Sequence, residues 1–155
     1  MASWNRSVHY RQLFRYILSI MKVCKIVAYL VFYHYPLDWP ERELIQAAMS
    51  DIERRTCVRF IEHPSSSRYV SHKDVMKIEK QGNVCSSFVD RMDIGQQELT
   101  LGSGCLKLMG EVQHELLHAL GLYHEQSRMD RDEYVHIIWE NIVRGNGNNS
   151  IDMPI

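Results

Sequence analysis

The chain has 155 residues, of which 45% are hydrophobic and 24% are charged, a length and composition typical of one ordinary folded domain. The formal net charge is −1, and the basic residues are scattered among acidic ones. Proteins that bind nucleic acid or an anionic membrane usually carry a concentrated basic patch, so we expect neither partner.

Residues 1–25 have no clean hydrophobic period and are predicted to be an irregular leader. Three arginines precede an apolar stretch at residues 16–33, as in a secretory signal. However, Lys22 and Lys25 interrupt the stretch, which therefore does not favour a transmembrane helix. Whether the leader is the remnant of a signal or of a propeptide stays open.

The next segment predicts a strand, a helix and a second strand. β-branched and aromatic residues dominate residues 26–33, which indicates a buried strand. Pro40 and the acidic residues after it begin a helix that is predicted to end near Arg55. The second strand is expected at residues 57–61. The helix has an inward stripe at helical spacing, formed by Leu44, Ile45, Ala48, Met49 and Ile52.

Further along the chain, residues 71–83 are polar and predict no element. Two short strands are expected at residues 85–89 and 97–101, with glycines marking the turns after them. A second helix is predicted from about residue 108 to residue 120, where Gly121 stops it. This order predicts an α/β or α+β fold with one main sheet.

The second helix carries the motif HELLHALGLYH, at residues 114–124. His114 and His118 are four residues apart, so both imidazoles project from one helix face at a separation that suits one Zn²⁺. Glu115 lies beside His114, where it can take a proton from zinc-bound water as a general base. The same H-E-x-x-H pattern also occurs by chance in helices whose histidines bind nothing.

The third candidate ligand is His124. On a continued helix it would lie on another face, but Gly121 tolerates a positive φ, so the helix can end and the chain can turn back under the metal. A glycine and a histidine at these fixed offsets are difficult to attribute to coincidence. Three protein ligands leave one position open for water, which is typical of a catalytic zinc site.

The residues around this motif resemble the astacin family of zinc metallopeptidases, which belongs to the metzincins. After His124, the residues Glu125, Arg128, Asp130, Arg131, Asp132 and Tyr134 match the family signature E-x-x-R-x-D-R-D-x-Y. The segment around Cys57, T-C-V-R-F, resembles a family strand, and the motif region looks most like the fish hatching-enzyme and nephrosin branch. Another metzincin family, such as the matrix metalloproteinases, is disfavoured because it lacks the run at 125–134.

The resemblance implies an α+β fold of the zincin type, with a twisted mixed sheet and two main helices, the second carrying the zinc motif. It implies that residues 26–155 form the N-terminal zinc-binding subdomain of a peptidase. It also implies a Cys85–Cys105 disulfide and a substrate-binding edge strand containing Ser86, Ser87, Phe88 and Val89. The pairing of Cys24 and Cys57 stays open.

The implied activity is zinc-dependent endopeptidase cleavage of a protein or peptide substrate. The ion is held by His114, His118 and His124, Glu115 is the base, and the protein is secreted. The chain ends before the family's C-terminal lobe, so we expect it to be C-terminally truncated. The alternative is therefore a zinc-binding fragment that does not cleave. The sequence gives no indication of the oligomeric state.

Overall fold

The computed structural model describes residues 27–34, 37–62, 75–92 and 94–141. The predicted leader lies outside these residues. The chain divides into two compact units, Met1–Gly121 and Leu122–Ile155. Among the described helices, none combines the length and the apolar character that crossing a membrane requires.

The first unit is built on one mixed five-stranded sheet. Its strands are β1 (Val27–Tyr33), β2 (Val58–Glu62), β3 (Val75–Glu79), β4 (Cys85–Ser87) and β5 (Gln96–Leu101). The strand order is β2-β1-β3-β5-β4. Neighbouring strands run parallel except at the β4 edge, where β4 is antiparallel to β5.

Two helices accompany the sheet, α1 (Trp39–Arg55) and α2 (Met109–Ala119), and they pack against each other. The start of α1 is fixed by a capping box: Asp38 Oδ1 accepts from the backbone N of Glu41 at 3.0 Å, and Glu41 Oε2 accepts from the N of Asp38 at 3.0 Å. These contacts satisfy backbone donors that the first helical turn leaves without partners. The predicted α+β fold with a mixed sheet and two main helices is confirmed.

The core lies between the helices and the sheet. From the predicted inward stripe of α1, Ile45, Ala48, Met49 and Ile52 are buried, whereas Leu44 is only half-buried at its margin. The buried residues of α2 recur at helical spacing, and the central strands β3 and β5 supply the facing apolar side chains. These contributions are Val112, Leu116 and Ala119 from α2 and Val75, Ile78, Leu99 and Leu101 from the sheet.

Strand β3 is the one element of the sheet that the sequence did not predict. Its residues Val75, Met76 and Ile78 are buried, but Lys77 and Glu79 made the segment look polar. In the sheet, Lys77 Nζ lies 2.7 Å from Glu79 Oε2 and 3.1 Å from Glu98 Oε1 on neighbouring β5. Because Lys77 and Glu79 have oppositely charged partners on the same face of the sheet, both charged side chains are tolerated in a central strand.

A disulfide joins strand β4 to the segment that precedes α2. Cys85 in β4 forms a disulfide with Cys105, which begins a short 3₁₀ turn at Cys105–Lys107. Gly102 lies so close to the two residues that precede β4 that an added Cβ would overlap the backbone of Asn83 and Val84. Its own N donates to the carbonyl of Val84 at 2.7 Å. The edge strand and the start of α2 are therefore held at a fixed separation.

The described part of the second unit, residues 122–141, contains turns and 3₁₀ helices at Glu125–Ser127, Arg131–Glu133 and Trp139–Asn141. Two arginines organise it. Arg131 is buried, donates to the carbonyl of Gln126 at 3.0 Å, and lies over the ring of Trp139. Arg128 makes a two-pronged contact with Asp130 at 2.8 and 2.6 Å. These contacts fix the turns without a regular helix or strand.

Candidate metal centre

Helix α2 places His114 and His118 one turn apart on the same face. Their Nε2 atoms lie 3.0 Å apart, and their rings are nearly perpendicular, with an interplanar angle of 84°. Two nitrogens bound to one tetrahedral Zn²⁺ at roughly 2.0–2.1 Å lie about 3.3 Å from each other. The observed spacing is therefore close to the one that a shared metal ion requires.

Gly121 ends α2 directly after the two histidines. Its φ is +93°, a left-handed conformation that glycine adopts without strain. Its N donates to the carbonyl of His118 at 2.8 Å, and the N of Asp90 donates to the same carbonyl at 2.9 Å. Two backbone donors therefore satisfy the His118 carbonyl at the end of the helix. The helix ends just before the glycine, as the motif predicted.

His124 joins the other two histidines. One ring nitrogen from each of His114, His118 and His124 lies within 4.8 Å of the others. The carbonyl of His124 accepts from the N of Ser127 at 2.9 Å, which ties this residue to the following 3₁₀ turn. Three imidazole nitrogens this close together form a donor set that suits zinc, so the residues fit the ion.

Glu115 follows His114 on α2 and is buried, with 6% of its surface exposed. Burial raises the pKa of Glu115 to about 7, because a charged carboxylate is disfavoured away from water. A cation held by the neighbouring histidines would lower that pKa. A carboxyl group in this setting can exchange a proton near neutral pH.

The predicted edge strand is shorter than expected. Ser86 and Ser87 belong to β4, at the end of the strand order, whereas Phe88 and Val89 lie beyond the end of the strand. The reason is Asp90, whose φ of +71° turns the chain out of the extended conformation. Ser87 Oγ donates to the carbonyl of Phe88 at 2.8 Å, and Phe88 is 48% exposed.

Several residues at the site were not identified from the sequence. Gln113, immediately before His114, is buried and donates from Nε2 to Asp51 Oδ2 of α1 at 3.0 Å. Gln97 is also buried and holds the turn at Asp90, donating to its carbonyl at 3.1 Å. For Gln113 the available signal was a polar residue beside an apolar helical stripe, and that pattern has many explanations.

Comparison with known proteins agrees with this geometry. The family model of astacin, a peptidase family, matches residues 25–152, which is most of the chain. The chain belongs to the astacin family. The resemblance that the signature at residues 125–134 indicated is therefore confirmed.

Individual astacin relatives support the same assignment. The chain is 36% identical over 126 residues to "Blastula protease 10" of Paracentrotus lividus, covering 81% of this chain and 20% of the relative. It is 43% identical over 99 residues to "High choriolytic enzyme 2" of Oryzias latipes, covering 64% of this chain and 33% of the relative.

The solved structure of high choriolytic enzyme 1, a hatching enzyme zinc-protease from Oryzias latipes, matches the fold. The TM-score is 0.69 at 33% identity, covering 83% of this chain and 60% of that chain. The chain thus spans a third or less of the length of these two curated relatives, and well under the full length of the solved structure.

Proposed function

We propose that this chain binds one zinc ion and acts as a metalloendopeptidase. The observation that carries the proposal is the group of three imidazole nitrogens within 4.8 Å, with the buried Glu115 next to the first of them. Membership of the astacin family supports the same reaction class.

In the proposed site, His114, His118 and His124 would hold the ion through one ring nitrogen each. When bound there, zinc supplies Lewis-acid chemistry that polarises a carbonyl and lowers the pKa of water. The rings of His114 and His118 are nearly perpendicular, and their Nε2 atoms lie 3.0 Å apart. The chain's contribution is therefore a preformed pair of ligands on a rigid helix, completed by the third histidine.

Glu115 is the proposed general base and, later, the proton donor. It accepts a proton from the attacking water and delivers that proton to the nitrogen of the leaving amine. Its burial supports the role because a carboxyl with a raised pKa both accepts and releases a proton near neutral pH.

The proposed substrate is a protein or peptide that lies along the β4 edge. Among the described strands, β4 has a neighbour on one side, so its other side can pair with an extended peptide by β-augmentation. Ser86 and Ser87 offer backbone groups within the strand, and Phe88 and Val89 follow on toward Asp90. The exposed Phe88 ring offers an apolar contact for a substrate side chain.

Two further assignments belong to the proposal. Residues 26–155 are the N-terminal zinc-binding subdomain of the peptidase, which the family match over residues 25–152 supports. The protein acts in an oxidising, extracellular compartment, which the Cys85–Cys105 disulfide supports.

The deciding experiment measures bound zinc and peptidase activity of the full chain together. We expect about one zinc per chain and cleavage of an unstructured peptide that a chelator abolishes and added zinc restores. Zinc without cleavage would favour the alternative of a zinc-binding chain that does not cleave. A chain that binds no zinc would contradict the proposal altogether.

A further inference from the structure

A buried polar contact connects the two helices next to the candidate metal ligands. Gln113 of α2 precedes His114, and its Nε2 donates to Asp51 Oδ2 of α1 at 3.0 Å. Both residues are buried, and 62 positions separate them in sequence. We call this contact the Asp51–Gln113 pair.

The Asp51 carboxylate is held firmly from its own helix. Arg55 donates to Oδ2 from Nε at 3.2 Å and to Oδ1 from Nη2 at 3.3 Å, and Arg54 Nη2 contacts Oδ1 as well. Burial alone would raise the pKa of Asp51, but the hydrogen bonds from Arg55 and Gln113 outweigh it, and the pKa is lowered. The acceptor that meets Gln113 is therefore an oriented, ionised carboxylate.

The remaining buried surface of α2 is mostly apolar: Val112, Leu116, Leu117 and Ala119. Apolar contacts are non-directional, so by themselves they tolerate a small rotation of a helix about its axis. A hydrogen bond to a fixed carboxylate depends on both distance and angle. Because successive residues of an α-helix are about 100° apart, the direction of Gln113 sets the direction of His114.

We infer that the Asp51–Gln113 pair positions His114 and His118 by fixing the rotation of α2, so that both imidazoles meet one metal ion. The inference rests on the proposed zinc function and assigns the pair a positioning role, since neither residue belongs to the group of candidate ligands. Polar groups that orient metal ligands commonly change metal affinity by about 10–100-fold when they are removed.

The test compares Gln113→Leu, Asp51→Asn and the double variant in the full chain. Zinc affinity is measured by competition with a chromophoric chelator, and ligand geometry by the visible spectrum of the cobalt-substituted protein. Ile45→Val is the control, because it removes one buried methyl group from α1 and leaves both residues of the pair in place.

Each single variant is expected to weaken zinc binding about ten-fold and to alter the cobalt spectrum. The double variant should lose little more, because the two residues act as one unit. Ile45→Val should lower the thermal midpoint while its zinc affinity and cobalt spectrum stay as in the wild type.

Wild-type zinc affinity and cobalt spectrum in Gln113→Leu and Asp51→Asn would overturn the inference and leave the proposed function standing. An equal loss of zinc affinity in Ile45→Val would also overturn it, since general destabilisation would then explain the effect. A wild-type chain that binds no zinc would overturn the inference and the proposed function together.

Discussion

The chemistry of Glu115 depends strongly on its surroundings. The same carboxylate on the exposed face of α2 would be an ordinary acid, whereas burial raises its pKa to about 7. The sequence motif predicted its position beside His114, but its burial and the resulting pKa shift became evident only in the folded structure. The role proposed for Glu115, accepting a proton and later returning it, depends on both properties.

We predict that Glu115→Gln keeps zinc but loses hydrolysis, because the amide has nearly the same shape and cannot accept the proton. The expected fall in kcat/KM is at least about 100-fold, measured with a peptide substrate alongside the zinc content. Glu111→Gln, one turn earlier on α2, is the matched control and should retain activity. Full activity in Glu115→Gln would refute the base assignment.

The local elements were largely predictable. Strand β1, helix α1 and helix α2 appear within one or two residues of their expected bounds, because hydrophobic period, proline and glycine act locally. Strand β4 ends before Phe88, earlier than expected, because Asp90 adopts a left-handed conformation that tertiary contacts hold. Strand β3 could not be predicted, since Lys77 and Glu79 gain partners only when the strands are assembled.

At the level of the helix end, we predict that Gly121→Ala destabilises the fold. The position has a φ of +93°, and an added Cβ meets the side chain of Asp90 only at ordinary contact distances, 3.5 Å and beyond. The cost is therefore conformational, about 1–2 kcal/mol of unfolding free energy, measured by denaturant titration. Zinc affinity should fall as well, because the turn toward His124 is altered.

Gly104→Ala is the control for this substitution. Gly104 has ordinary right-handed dihedral angles, and the nearest atom to its added Cβ is 3.9 Å away. The expected effect on the unfolding free energy is therefore neutral or slightly stabilising. An equal loss of stability in both variants would show that the conformation of Gly121 is not what matters.

On the scale of the whole molecule, the disulfide contributes stability that neither β4 nor the 3₁₀ turn at Cys105–Lys107 has alone. Cys85 and Cys105 are 20 positions apart, so the link constrains a substantial loop of the unfolded chain. We predict that Cys85→Ser with Cys105→Ser lowers the unfolding free energy by about 2–4 kcal/mol, measured by denaturant titration without reductant.

Reductant provides the internal control for the disulfide prediction. It should destabilise the wild type toward the level of the double variant and leave the double variant unchanged. Identical unfolding midpoints in wild type and double variant would contradict the prediction, as would two free thiols at these positions in a mass map of the folded protein.

The sequence by itself determined the family, the candidate ligands His114, His118 and His124, and most helices and strands, because each depends on residues close together in the chain. Only the tertiary structure decided the strand order, the place of β3 within the sheet and the Asp51–Gln113 pair. These features join residues far apart in sequence, and the energy of such contacts exists only once the folded chain brings the partners together.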